Sequence, residues 1–371
     1  MPANALDYIT IKGFKSIASV EKLELRPINV LIGPNGSGKS NFIGVFDFLH
    51  EICEGRLQHY VTRVGGAEKL LHFGSKTTKE MSFHLSFVDQ ASEYELKLSP
   101  TEDDGLFPSE EQAHYRDSSH FWPQSSGLSP RLQRLEAGIS DPNWAGTTKS
   151  VRDQLGGWRV YHVHDTSSAS KMRKTAKVDD NDFLRSDGSN LAAFLYYLRE
   201  RHEDSYSLIQ RTIQLVAPFF DDFRLKPLNL RPDDIKLEWR HKSSDQYFDA
   251  SSLSDGTLRF VVLATLFLQP VGHRPSTILV DEPELGLHPH AIAMLASLVR
   301  QAAVDTQVIV STQSSLLLDH FQPEDVLVAN RVEGGTTITR TDPDQLVTWL
   351  EDYSLGQLWE KNELGGRPVR D

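Results

Sequence analysis

Apolar positions along the chain follow two periods. Tyr8–Ile11 and Val20–Leu25 are short apolar segments, and Ile28–Ile32 runs straight into a glycine-rich turn, so the first forty residues read as three strands and a loop. Phe42, Val45, Phe46 and Leu49 then recur at i, i+3, i+4 and i+7, which predicts an amphipathic helix over Ser40–His50. Met81–Val88 and Glu93–Leu98 alternate around a short polar turn, as the strands of a hairpin do. From Ser99 to Gly157 the periodicity lapses into Ser, Pro, Asp, Glu and Gln with scattered aromatics, which reads as an insertion with one short helix around Leu132–Ala137. Strand character returns at Trp158–Val163, and Leu191–Arg201 and Tyr206–Phe219 read as helices. Strand and helix then alternate: Lys236–Arg240, a helix from Asp255, strand Thr277–Val280, helix His290–Ala303 and strand Gln307–Ser311. Such alternation predicts an α/β fold with a largely parallel central sheet, to which the N-terminal hairpin adds an antiparallel β subdomain.

This pattern divides the chain into an N-terminal lobe (1–99), an insertion expected to be flexible (100–157), a helical and strand subdomain (158–254), a C-terminal lobe (255–341) and a tail (342–371). The tail segment Trp349–Trp359 carries aromatics that disordered tails lack, and is expected to dock on the body or on a partner.

Composition narrows the function. With Lys+Arg 39 against Asp+Glu 51 the net charge is −12, which excludes a broad basic face for nucleic acid but leaves room for a local patch. The longest apolar run, Phe260–Leu268, is about half of the roughly 20 residues that a membrane-spanning helix needs. Met1–Thr10 offers no basic start leading into an apolar stretch, so export is not expected and a cytoplasmic location is. Cys53 stands alone, which excludes an internal disulfide and a thiolate zinc site.

The strongest chemical signal is Gly33, Pro34, Asn35, Gly36, Ser37, Gly38, Lys39 and Ser40, which fit G-x-x-x-x-G-K-[ST] between a strand and a helix, with Asn41 next on the helix. Glycines there let backbone N–H groups turn inward around phosphates, and the helix N-terminus adds about half a positive charge. Lys39 would reach the β and γ phosphates and Ser40 would join the Mg²⁺ shell. Thr277–Asp281 is an apolar strand ending in Asp281 and Glu282; the first would hold Mg²⁺ and the second would orient or deprotonate the attacking water. Alone, two such acids also suit the start of a solvated turn.

Lys39 and Asp281 are 281 − 39 = 242 residues apart, and Leu253-Ser254-Asp255-Gly256-Thr257 lies shortly before the acidic strand at the head of an apolar helix. Here the chain resembles the ABC-type ATPases of the RecF and SMC-like branch. In that family a Leu-Ser-x-Gly signature caps the γ-phosphate of ATP held by the opposite subunit, and Ser254, Gly256 and Thr257 match it. Taken alone, the segment is an ordinary helix cap. Glu282-Pro283-Glu284-Leu285-Gly286-Leu287-His288-Pro289 is similar to the DEPE-x-x-LHP run of these ATPases, and His288 and His290 flanking a proline read as a helix start, not a metal pair. Gln313, 32 residues after Asp281, stands where the family has a γ-phosphate switch residue, commonly His. Glutamine donates a hydrogen bond but does not titrate, so positioning is its implied role.

Further matches are looser. Phe14-Lys15-Ser16 resembles a family segment near the nucleotide, where Lys15 would touch a phosphate. The family's Mg²⁺-watching glutamine has no counterpart; His164 or Asp165, after the strand Trp158–Val163, would stand in. Lys171, Arg173, Lys174 and Lys177 form a positive run in an acidic chain and are the candidate DNA contact, joined by Arg224, Lys226 and Arg231 if these lie nearby. Only 212 residues separate Ser40 from Leu253, without sustained heptads, so the coiled-coil arms of SMC proteins are absent.

The resemblance implies an ATPase, turning ATP and water into ADP and phosphate, that dimerises with its own kind around two ATP·Mg²⁺. Action on DNA in repair or genome maintenance is implied first. The alternative is a phage-defence sensor that regulates a separate effector protein. A transporter subunit, and with it a membrane partner, is disfavoured by the DEPE-x-x-LHP run and by Gln313.

Overall fold

The computed structural model describes residues 5–87, 92–115, 124–127, 135–143 and 146–365. At its centre lies a six-stranded sheet. Val326–Val332, Ile28–Ile32, Gln307–Ser311, Thr277–Asp281 and Trp158–Tyr161 run parallel in that order, and Gly335–Arg340 adds an antiparallel strand at one edge. The sequence makes this sheet two-faced: Val30 and Ile32, Ile278 and Val280, and Val308 and Val310 enter one core, whereas Leu31, Leu279 and Ile309 between them enter the other.

On the first face pack the helices Leu191–Arg201, Glu203–Val216, Asp255–Leu268 and Pro289–Ala302. Every residue of Asp255–Leu268 from Leu258 onward is buried, Arg259 included, which is why its apolar run showed no amphipathic stripe. On the second face pack the helix Lys39–Cys53 and an antiparallel sheet in the order Ile17–Glu24, Leu6–Phe14, Met81–Phe87, Ser92–Pro100, Leu106–Tyr115, Gln124–Gly127. The expected fold class is therefore observed, with the three N-terminal strands split between the two sheets.

Within 100–157, read from the sequence as an insertion with one short helix, the described residues include strands and a helix at other positions. Leu106–Tyr115 extends the antiparallel sheet by pairing with Ser92–Pro100. Its polar look is deceptive because buried Glu111 is fully engaged: it accepts from Tyr94 Oη at 2.8 Å, Ile139 N at 2.9 Å and Gly138 N at 2.6 Å. The helix of this region is Gly146–Gly156, anchored by buried Val151 and Leu155. Of the expected helix at Leu132–Ala137, residues 132–134 lie outside the described residues and 135–137 are not helical. The tail folds as helices Pro343–Leu350 and Leu355–Lys361; Leu355 and Leu358 are buried in the first core, and Asp319 accepts from Gly356 N at 2.6 Å.

Candidate nucleotide-binding site

Parallel strands place their C-terminal ends, and the loops that follow, on one edge of the sheet, and the sequence motifs gather there. The loop after Ile28–Ile32 is held in shape by the neighbouring strands. Gly33 has φ 155°, and a Cβ on it would overlap the carbonyl oxygen of Ala329; Gly38 has φ 101°, and a Cβ there would overlap Thr336 Oγ1. Thr336 Oγ1 lies 2.8 Å from the carbonyl oxygen of Ser37 and 2.8 Å from Ser16 Oγ, and Asn41 Nδ2 donates to Ser16 Oγ at 2.6 Å. Ser16 and Thr336 therefore clamp the loop from outside. Ser16 closes the segment Phe14-Lys15-Ser16 read near the nucleotide, whereas Thr336 carries no local signal.

Lys39 turns into the loop and donates to the carbonyls of Gly33 at 2.7 Å and Pro34 at 3.2 Å. Burial lowers its pKa, and the carboxylates of Glu282, Asp281 and Glu284 oppose that shift. Lys15 lies against the flank of the helix near Gly44, stacked over the ring of Phe14. Burial lowers its pKa too, with Asp47 opposing.

Asp281 Oδ2 stands 3.5 Å from Ser40 Oγ, while its Oδ1 is buried with no hydrogen-bond partner among the described residues. A carboxylate oxygen in that state beside a hydroxyl is donor chemistry suited to a hard divalent cation, so the pair fits Mg²⁺. Glu282 follows in the left-handed region, φ 43°, with its N–H donating to Ser311 O at 2.8 Å. Such a conformation costs a non-glycine residue roughly 1 to 3 kcal/mol and gathers at functional sites. Gln313 Nε2 donates to Glu282 Oε1, so the two residues expected to act at the γ-phosphate and on the attacking water are in direct contact. Beneath them Glu284, buried, accepts from Thr312 Oγ1 at 2.5 Å and Gln313 N at 3.3 Å; burial raises its carboxyl pKa.

The signature turn is an N-cap: Ser254 Oγ accepts from Thr257 N at 3.2 Å and lies 2.8 Å from Thr257 Oγ1, while the residue stays exposed. Gly256 has an internal reason to be glycine, because a Cβ would overlap the carbonyl oxygen of Gly286 in the loop after the acids. His288 accepts from His290 N at 3.3 Å, which makes that pair the helix start expected of it.

Two expectations change. Of the pair considered beside the Mg²⁺ site, His164 is brought to Asp281, together with His162, which sequence reasoning passed over; Asp165 instead closes its own turn on Ser167. The basic run is the second. Arg173 points inward, its side chain 5% exposed, donating to the carbonyls of Thr166, Ala250 and Leu253 and pairing with Asp255 at 2.7 Å. It clamps the turn at Leu253–Asp255, which leaves its guanidinium unavailable to DNA, against expectation. Lys171, Lys174 and Lys177 remain exposed; Lys171 pairs with Asp187 at 3.2 Å, Lys177 with Asp234 at 2.7 Å, and Lys174 donates to Ser168 O.

Residues 28–319 match the family model described as AAA domain, putative AbiEii toxin, Type IV TA system. The chain belongs to this family. It is an ATPase of the ABC type, RecF and SMC-like branch. Two curated relatives are the OLD nuclease of Thermus scotoductus, 21% identical over 98% of this chain and 68% of that protein, and the Old nuclease of Escherichia phage P2, 22% identical over 91% and 61%. The ATPase thus spans about two thirds of the length of these relatives. In fold it is similar to the SMC head bound to the C-winged helix domain of ScpA, with TM-score 0.60 and 15% identity over 92% of this chain and 99% of that one. It is also similar to an SMC head with an extended coiled coil bound to the C-terminal domain of ScpA from Pyrococcus furiosus, at TM-score 0.54 and 15% identity over 95% and 99%. Among the described residues of the ATPase no helix is long and apolar enough to cross a membrane.

Proposed function

We propose that two copies of the ATPase close around two ATP molecules, and that this closure is used on DNA in repair or genome maintenance, in the cytoplasm. Each ATP lies on one copy's loop Gly33–Ser40 and is capped by Ser254, Gly256 and Thr257 of the other. Lys39 leaves its own carbonyls for the β and γ phosphates, and Lys15 and Asn41 line the site. Ser40 and Asp281 hold Mg²⁺, which when bound neutralises phosphate charge. Glu282 takes a proton from the attacking water, and Gln313 holds Glu282 and the water in register.

The contact of Gln313 with Glu282, next to the part-orphaned Asp281, carries this reading. The exposed Ser254 hydroxyl supports a cap completed only in a dimer. Action on DNA is supported by the names of both curated relatives, which are nucleases. The family description, AAA domain of a putative AbiEii toxin from a type IV toxin–antitoxin system, favours a second reading in which the ATPase senses a trigger and regulates a separate effector in phage defence.

The test is the solution mass of Glu282→Gln by light scattering with and without ATP·Mg²⁺. Blocked water activation traps the closed state, so the mass doubles with ATP. A monomer that holds ATP refutes the homodimer, and failure of DNA to stimulate wild-type turnover moves the function to the second reading.

A further inference from the structure

We propose that His162, His164 and Asp281 form a transition-metal site that loads without nucleotide. This deepens the proposed function at Asp281 and rests on it only for the consequence that the ion lies beside the phosphate loop.

His162 and His164 alternate with buried Tyr161 and Val163 where the edge strand runs out, so period 2 sends both imidazoles to one side. The backbone between them is fixed: Arg259, from the buried helix, donates through Nε to Val163 O at 2.8 Å and through Nη2 to His164 O at 3.1 Å, while His162 N donates to Ser186 O at 3.2 Å. One nitrogen from each ring and a carboxylate oxygen of Asp281 lie within 4.8 Å of one another. Donors around a single ion at about 2.1 Å sit roughly 3 to 3.5 Å apart, so ring rotations of about 1 Å close the set. Neither imidazole has a hydrogen-bond partner among the described residues, and Asp281 Oδ1 is buried without one. Two unpartnered imidazoles and a half-engaged carboxylate thus converge.

Their chemistry selects the ion. Mg²⁺ favours carboxylate, carbonyl and water oxygens, whereas two imidazoles and one carboxylate suit first-row transition ions such as Mn²⁺, Co²⁺ and Zn²⁺. Three protein ligands would leave further positions of such an ion open to water.

The probe is Co²⁺, titrated into the chelator-stripped full chain without nucleotide and followed by its visible d–d absorption. One saturating equivalent is expected, displaced by Zn²⁺ and unmoved by a large excess of Mg²⁺. His162→Ala with His164→Ala weakens Co²⁺ at least about tenfold. Both positions are exposed, so folding is spared; should the double variant melt early, His164→Gln alone gives the same direction. No band, an unchanged band in the variants, or equal displacement by Mg²⁺ overturns the inference. ATP binding, measured in parallel, separates the two failures: intact ATP·Mg²⁺ binding with no Co²⁺ band overturns only this site.

Discussion

Replacing Arg173 by Met keeps the stem of the side chain and removes its five donors. In the wild type the guanidinium ties Thr166, Ala250 and Leu253, all buried, to one point and pairs with exposed Asp255. The ion pair contributes little because Asp255 faces water. The carbonyls matter more, since each buried acceptor left without a donor costs about 1 to 3 kcal/mol. Three of them, with water reaching some from the exposed Ser251–Ser252 side, give on the order of 3 to 5 kcal/mol, the range for breaking a buried charged contact. The expected result is a melting temperature lower by roughly 5 °C or more, with faster amide exchange across residues 254–258. On the proposed mechanism ATP binding, through the chain's own phosphate loop, stays near wild type, and turnover falls because the capping turn is no longer held. A variant that melts with the wild type and instead loses DNA affinity would refute this reasoning and return Arg173 to the surface patch.

Two further outcomes are expected. Gly38→Ala forces a side chain into the left-handed region and onto Thr336, so calorimetry should find ATP binding lost, whereas Gly36→Ala, whose Cβ meets nothing within 4 Å, should suffer only from its φ of 81° and keep part of it. Burial raises the Glu284 carboxyl above its ordinary 4.5, so the folded state holds that proton longer than the unfolded one, and stability falls as pH rises from 4.5 through the raised value. Glu284→Gln keeps an acceptor for Thr312 and Gln313 and removes the charge; urea midpoints at pH 5 and pH 7.5 should diverge in its favour at the higher pH, and parallel midpoints would contradict the burial argument.

What the sequence disclosed and what it hid divide by range. The phosphate loop, the acidic strand end and the signature turn are short runs whose residue types already state their chemistry, and the strands and helix around them follow from period 2 and period 3.6. The hidden features are contacts between distant segments. Thr336 meets Ser37 across 299 positions, and nothing near Thr336 hints that it shapes a loop. Arg173 looked like surface because three lysines accompany it, yet two of the three carbonyls that draw it inward, those of Ala250 and Leu253, belong to a segment about 80 residues later. Glu111 disguised a strand for the same reason, since a buried carboxylate is tolerated only where distant donors satisfy it. The same logic ties the site together. Gly256 rests on the Gly286 carbonyl, Glu284 holds Gln313, and Gln313 holds Glu282, so the turn at Ser254–Thr257 and the acid Glu282 are joined by one short chain of contacts. In the proposed dimer, a shift of that turn on closure would therefore reach Glu282 without any large motion, coupling capture of ATP by one subunit to its hydrolysis in the other.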